Sequence, residues 1–139
     1  MRSTIMAAAM TAAAAILLGG AAHAQTNGLS QQQDDQPSVG IGVICNTPDE
    51  ARHFISLRAG GAKAEKAMQS INTEAKDPRA CGVAAVVYTR GGIVANEKLD
   101  GKLVQIVRIN VLAGYNGAGW QRVSDMVQYA VLEGGGETI

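Results

Sequence analysis

Reactive and aromatic side chains are scarce in this chain of 139 residues, which has two cysteines, two histidines and one tryptophan. The two cysteines show no C-x-x-C spacing and are too few for a multi-cysteine metal centre, so neither a redox pair nor a metal site is predicted. Basic and acidic residues number 12 each, which gives no electrostatic case for binding nucleic acid or an acidic membrane surface. No cofactor is predicted either.

The first 24 residues are typical of a secretory signal peptide. Arg2 supplies a positive start, an alanine-rich apolar segment follows, and Ala22-His23-Ala24 has the small-x-small spacing that signal peptidase cuts. The apolar segment is close to the roughly 20 residues that span a bilayer, so a retained membrane anchor is the alternative. Alanine contributes little transfer free energy. We therefore predict cleavage after Ala24 and a periplasmic or secreted protein with no stable membrane insertion.

The rest of the chain divides by composition into a linker, one domain and a tail. Residues 25–38 contain one large apolar residue and three consecutive glutamines, so they are predicted to form a disordered linker. Residues 39–133 carry the periodic apolar patterns and are predicted to form a single domain. Residues 134–139, which begin with three glycines, are predicted to form a flexible tail.

Export changes how Cys45 and Cys81 are interpreted. In an oxidising compartment two cysteines most simply form one structural disulfide bond. The bond would close a loop of about 37 residues, and in the chain-entropy model that closure stabilises the fold by about 3 to 4 kcal/mol. A free catalytic thiol at Cys45 is the alternative.

Local signals predict two helices directly after the first strand. Thr47 is a suitable N-cap, and Glu50 three residues later completes a capping box. This helix is predicted to end at Gly60-Gly61, and a second helix to begin near Ala62 and end at Asp77-Pro78.

The remaining patterns predict strands. Gly91-Gly92 and Asp100-Gly101 are turn signals, and Asp-Gly is the stronger hairpin signal of the two. Residues 120–132 also place apolar side chains at helical spacing, so a helix is the alternative there. The predicted fold is α+β, with a two-helix insertion and then an antiparallel meander that forms a twisted sheet or a small SH3-like barrel. The predicted strands are 39–45, 81–90, 93–98, 103–112 and 126–132.

A glycine-rich loop at Ala113–Gly119 is the predicted binding site. Its G-x-x-G-x-G pattern has the residues of a dinucleotide fingerprint in the wrong order, which argues against a phosphate cradle. Tyr115 within the loop and Trp120 after it offer aromatic faces to a ligand, for which an envelope protein or a saccharide is the hypothesis. The favoured interpretation of Trp120 is that it simply plugs the end of the sheet, so the loop is the best candidate site by default.

A small envelope hydrolase is the second functional hypothesis. His53 lies four residues after Asp49 and three after Glu50 on the first predicted helix, so either carboxylate could orient its imidazole. A general base beside Cys45 would resemble a thiol hydrolase, although no oxyanion-donor motif accompanies it. A solvated surface histidine is the alternative, and a non-catalytic binding module is favoured over the enzyme.

A family resemblance rests on the two cysteine segments. A cysteine before a capped helix, followed by the strand Ala80-Cys81-Gly82-Val83, resembles small uncharacterised exported proteins of proteobacteria across residues 43–133. The resemblance implies export to the periplasm. It implies no particular activity and no functional residues.

Overall fold

The computed structural model of the protein describes residues 36–134 and 137–138. The predicted leader, most of the predicted linker and part of the predicted tail lie outside these residues. An α+β fold with two helices after the first strand and an antiparallel meander is confirmed. Its elements are β1 (Ser38–Cys45), α1 (Pro48–Ala59), α2 (Ala64–Ala75), β2 (Cys81–Leu99), β3 (Lys102–Tyr115), β4 (Trp120–Glu133) and β5 (Glu137–Thr138).

The helix boundaries follow from their caps. The Thr47 hydroxyl accepts a hydrogen bond from the backbone N–H of Glu50 at 3.2 Å, and the Glu50 carboxylate accepts one from the backbone N–H of Thr47 at 3.0 Å. The predicted capping box is thus confirmed. Gly60 ends α1, and Lys76 ends α2 in the left-handed region at φ 53°. No helix in the described part of the chain is long and apolar enough to cross a membrane.

The sheet curls back on itself. Its strands lie in the order β1-β2-β3-β4-β5, and β1 also pairs with β4, with Ile44 opposite Ala130 and Cys45 opposite Tyr129. The second pairing gives the curled sheet an inner face and an outer face. Since side chains alternate along a strand, each strand contributes to both faces.

The predicted turn at Gly91-Gly92 is wrong. β2 continues through both glycines as one strand of 19 residues, with an irregular register between Arg90 and Ile93. A Cβ atom at Gly91 would lie 2.8 Å from the carbonyl oxygen of Arg108 on β3. Glycine is therefore required here because two backbones approach closely, and the chain does not reverse.

The turn at Asp100-Gly101 is confirmed, and the last strand is longer than predicted. Asp100 and Gly101 have φ values of 51° and 77°, so both occupy the left-handed region that a two-residue type I′ hairpin requires.

β4 begins at Trp120 and not at 126, and the helical alternative for residues 120–132 is wrong. Pairing with β3 at both ends of β4, with a register shift between Arg122 and Met126, fixes β4 as a strand.

Two apolar clusters stabilise the curled sheet, one on each face. The helix-side cluster packs both helices against the outer face near the Cys45 end of β1. The inner cluster fills the concave side of the sheet. Buried members of the helix-side cluster include Val43, Ala51, Phe54, Ile55, Ala67, Ile71, Val104, Ile106 and Val131, and those of the inner cluster are Ile44, Val86, Val107, Ile109, Val111, Ala130 and Leu132.

Candidate functional site

The disulfide bond predicted between Cys45 and Cys81 is confirmed. The two residues are direct partners in the β1–β2 register, with their Cα atoms 4.1 Å apart. Both side chains are buried in the helix-side cluster. As the chain contains no other cysteine, no free thiol remains for the thiol-hydrolase chemistry considered above.

A side-chain amide on α2 holds the start of β2. The Asn72 amide oxygen accepts a hydrogen bond from the backbone N–H of Cys81 at 2.8 Å, and its nitrogen donates to the carbonyl oxygens of Cys81 and Pro78, each at 3.0 Å. The Asn72 side chain thus makes the backbone hydrogen bonds at Cys81 that a neighbouring strand would otherwise make. Sequence analysis missed this role because nothing in the spacing of Asn72 distinguishes it from a solvated helix position.

Asn72→Ala is expected to lower the free energy of unfolding by about 1 to 3 kcal/mol, because it leaves partly buried backbone groups of Cys81 without partners. Urea denaturation measures the change. Gln69→Ala is the control, since the Gln69 side chain is exposed and its one hydrogen bond within the described residues, from Lys66 at 3.4 Å, lies on the surface; its loss is expected to change stability by less than about 0.5 kcal/mol. Equal stabilities for the two variants would contradict the role assigned to Asn72.

The structure places His53 beside a carboxylate other than the two considered from sequence. Its Nδ1 atom lies 3.4 Å from the Oε2 atom of Glu74 on α2. Asp49 accepts a hydrogen bond from Arg52 at 3.1 Å, and Glu50 is engaged in the capping box. All three acidic residues line a shallow depression of about 290 Å³ with His53. The described contacts therefore place a partly solvated carboxylate beside His53 and show no orienting bond from Asp49 or Glu50.

Tyr115 and Trp120 form an exposed aromatic pair at the end of the β3–β4 hairpin. They are direct register partners, with ring centroids 5.4 Å apart and planes inclined by 59°. The Tyr115 hydroxyl donates to the carbonyl oxygen of Gly117 at 3.2 Å. The predicted loop at Ala113–Gly119 is too long, because β3 extends to Tyr115 and only residues 116–119 form the loop.

The aromatic pair belongs to a larger apolar surface. Side-chain alternation places Tyr115 and Trp120 on the outer face, beyond the area that the helices cover. Three aliphatic side chains of β1 and β2 share this face, and the five residues are 47% to 68% exposed. We call the five together the outer apolar face: Val39, Ile41, Val83, Tyr115 and Trp120.

Trp120→Ala is expected to lower the free energy of unfolding by only about 1 kcal/mol, since Trp120 is 47% exposed and its main aromatic contact is Tyr115. Tyr115→Ala is expected to have a similarly small effect. Urea denaturation of both variants measures these changes. A loss of several kcal/mol for Trp120→Ala would show instead that the ring plugs the end of the sheet.

Comparisons with known proteins return no match: no protein-family model, no curated protein and no solved structure resembles the chain. Among the described residues, no group of three or more histidine, cysteine or acidic side chains is arranged to hold a metal ion. Function is therefore inferred from the chain's own residues.

Proposed function

We propose that the chain is an exported, non-catalytic binding module that docks onto another envelope protein through the outer apolar face. The observation that supports this proposal is the clustering of five large, substantially exposed apolar side chains on one surface. Scattered apolar residues are normal on a protein surface, whereas a contiguous apolar patch is typical of an interaction site. Aromatic rings such as Tyr115 and Trp120 are enriched in such interfaces.

The chemistry of this face favours a protein over a saccharide. A sugar site needs convergent polar groups beside its aromatic rings, but Val39, Ile41 and Val83 offer none. Arg122 on β4 lies at the margin of the outer apolar face. Its side chain is exposed, and it is on the same side of the sheet as Trp120, opposite Ala113 of β3. The expected partner therefore presents an apolar surface with a carboxylate placed to meet Arg122.

Site-specific photocrosslinking in the living cell tests this proposal. A photoreactive amino acid replaces Ile41 on the outer apolar face in one version of the full chain and Ser56 on α1 in a control version. The expected result is one adduct with an envelope protein from position 41 and none from position 56. Trp120→Ala and Arg122→Glu, introduced separately into the position-41 version, are expected to remove most of that adduct.

Four outcomes would overturn the proposal. Identical adducts from positions 41 and 56 would show that the contact is not specific to this face. A glycan adduct would assign the face to a saccharide, and an adduct of twice the chain's mass would assign it to a second copy of the protein. Persistence of the adduct in both the Trp120→Ala and Arg122→Glu backgrounds would equally contradict docking through this face.

Export is the second part of the proposal, and the buried disulfide bond is consistent with an oxidising compartment. The natively expressed protein is expected to lack residues 1–24 and to begin at Gln25, because the cleavage site follows the helix-breaking Gly19-Gly20. Intact-mass measurement of protein from the periplasmic fraction determines the first residue. A mass that includes the leader, with the protein in the membrane fraction, would contradict cleavage.

A further inference from the structure

The inner face of the sheet opens into an apolar cleft of about 360 Å³ that is lined by the first halves of β2 and β4 and by the end of β3. The side chains of Ala84, Val86, Val111, Val123 and Met126 line it. This volume falls within the range of about 300 to 1,000 Å³ that small-molecule sites occupy. Of the outer apolar face, Val83 also borders this cleft, whereas Val39, Ile41, Tyr115 and Trp120 do not line it.

Two glycines line the cleft and leave it open at their positions. Gly82 on β2 and Gly114 on β3 both line the cleft, and a Cβ atom added at either position would meet no atom within 4 Å. Neither residue has a positive φ, so the backbone does not require glycine at these positions. Since glycine weakens a strand, its use at both positions costs stability and preserves open space.

The lining of the cleft also includes a cation. Arg79 lies just before β2, lines the cleft and is exposed to solvent. Among the described residues, no carboxylate lies within salt-bridge distance of its guanidinium group. Gln128 adds a second polar side chain to the otherwise apolar lining. The arrangement thus combines an apolar interior with a carboxylate-binding group at the solvent boundary.

We propose that this cleft binds a small amphiphilic carboxylate, with its hydrocarbon chain against Val86, Val111 and Met126 and its carboxylate at Arg79. The apolar walls provide affinity by removing the hydrocarbon chain from water. The guanidinium group selects the anionic end over a neutral one. Binding at this cleft does not require the protein contact proposed for the outer apolar face, so the two proposals fail independently.

Titration of the full-length mature protein with octanoate, decanoate and 1-decanol tests the proposal, with the backbone amide signals of Gly82 and Gly114 followed by nuclear magnetic resonance. Both signals are expected to shift on saturation with decanoate. Each methylene added between octanoate and decanoate is expected to tighten binding by about two- to fourfold. Decanoate is expected to bind more tightly than 1-decanol, by about two- to fivefold.

Substitutions that fill the cleft provide the sharpest comparison. Gly114→Val places a β-branched side chain in the empty space and is expected to weaken decanoate binding at least tenfold while the domain stays folded. Gly82→Val is a second, independent variant with the same expectation. Gly119→Val is the matched control, because an added Cβ atom there also meets nothing within 4 Å and Gly119 does not line the cleft. Arg79→Gln is expected to remove the preference for decanoate over 1-decanol.

Several results would overturn the proposal. Absence of decanoate binding to the folded protein at millimolar concentration would refute the site. Equal affinities for the parent, Gly114→Val and Gly82→Val would place any binding elsewhere on the protein. Equal binding of decanoate and 1-decanol, unaffected by Arg79→Gln, would exclude the carboxylate as the recognised group.

Discussion

Replacing both Cys45 and Cys81 by alanine is expected to lower the free energy of unfolding by about 3 to 4 kcal/mol. The bond joins residues separated by 36 positions, and the loop that it closes contains both helices. Without it, the unfolded chain regains the conformational entropy of that loop. For a domain of this size the loss corresponds to a fall in Tm of more than about 10 °C. Calorimetry of the parent and the double variant measures it.

Chemical reduction provides the control for this prediction. A reducing agent is expected to lower the Tm of the parent nearly to that of the Cys45→Ala, Cys81→Ala variant, and to leave the variant's own Tm unchanged. A variant as stable as the oxidised parent would show that the bond constrains little in the unfolded chain. Any difference in Tm between the reduced parent and the variant measures how much the packing of the sulfur atoms in the helix-side cluster contributes to stability.

Phe54→Ala is expected to lower the free energy of unfolding by about 3 to 5 kcal/mol. Phe54 is the only phenylalanine in the chain, and its side chain on α1 is 4% exposed within the helix-side cluster. Removing the ring leaves a cavity between α1 and the outer face of the sheet that neighbouring atoms fill only in part. Denaturant unfolding with a constant m-value would establish that the change is one of stability.

Trp120→Ala is the matched aromatic control for Phe54→Ala. Both substitutions remove an aromatic ring, but one ring is buried and the other is half exposed. The decreases in the free energy of unfolding are therefore expected to differ by more than about 2 kcal/mol between the two variants. Similar losses for both variants would contradict the division between a buried helix-side cluster and an exposed outer apolar face. Phe54→Leu, which retains most of the buried volume, is expected to cost less than Phe54→Ala.

Features determined by a few adjacent residues could be predicted from the sequence. The capping box of Thr47 and Glu50 lies within a single helical turn, and the Asp100-Gly101 hairpin depends on two residues that tolerate positive φ. The disulfide bond could be predicted for a different reason: the chain has only two cysteines, so only one intramolecular pairing exists. None of these features depends on how the sheet curls.

Features determined by distant residues could not be predicted. A glycine pair is compatible with a turn or with a close backbone contact, and only the position of Arg108 on the neighbouring strand decides between them at Gly91. Trp120 is likewise exposed at the tip of the β3–β4 hairpin, although its apolar character suggested a place in the core. The cleft could not be predicted for the same reason, because Gly82 and Gly114 line one cleft only after the strands pair.

The disulfide bond also fixes the register between β1 and β2, and the composition of β1 shows why this matters. Val39 and Ile41 alternate along β1 with Gly40 and Gly42, so this part of the strand has few inward-facing side chains to fix its alignment. A shift by one residue would turn the valine and isoleucine inward and the glycines outward. Because the sulfur atoms join Cys45 to its direct partner, a shifted alignment separates residues that the bond holds together. The disulfide bond therefore fixes the alignment of β1 with β2 at the end of the strand where Cys45 lies.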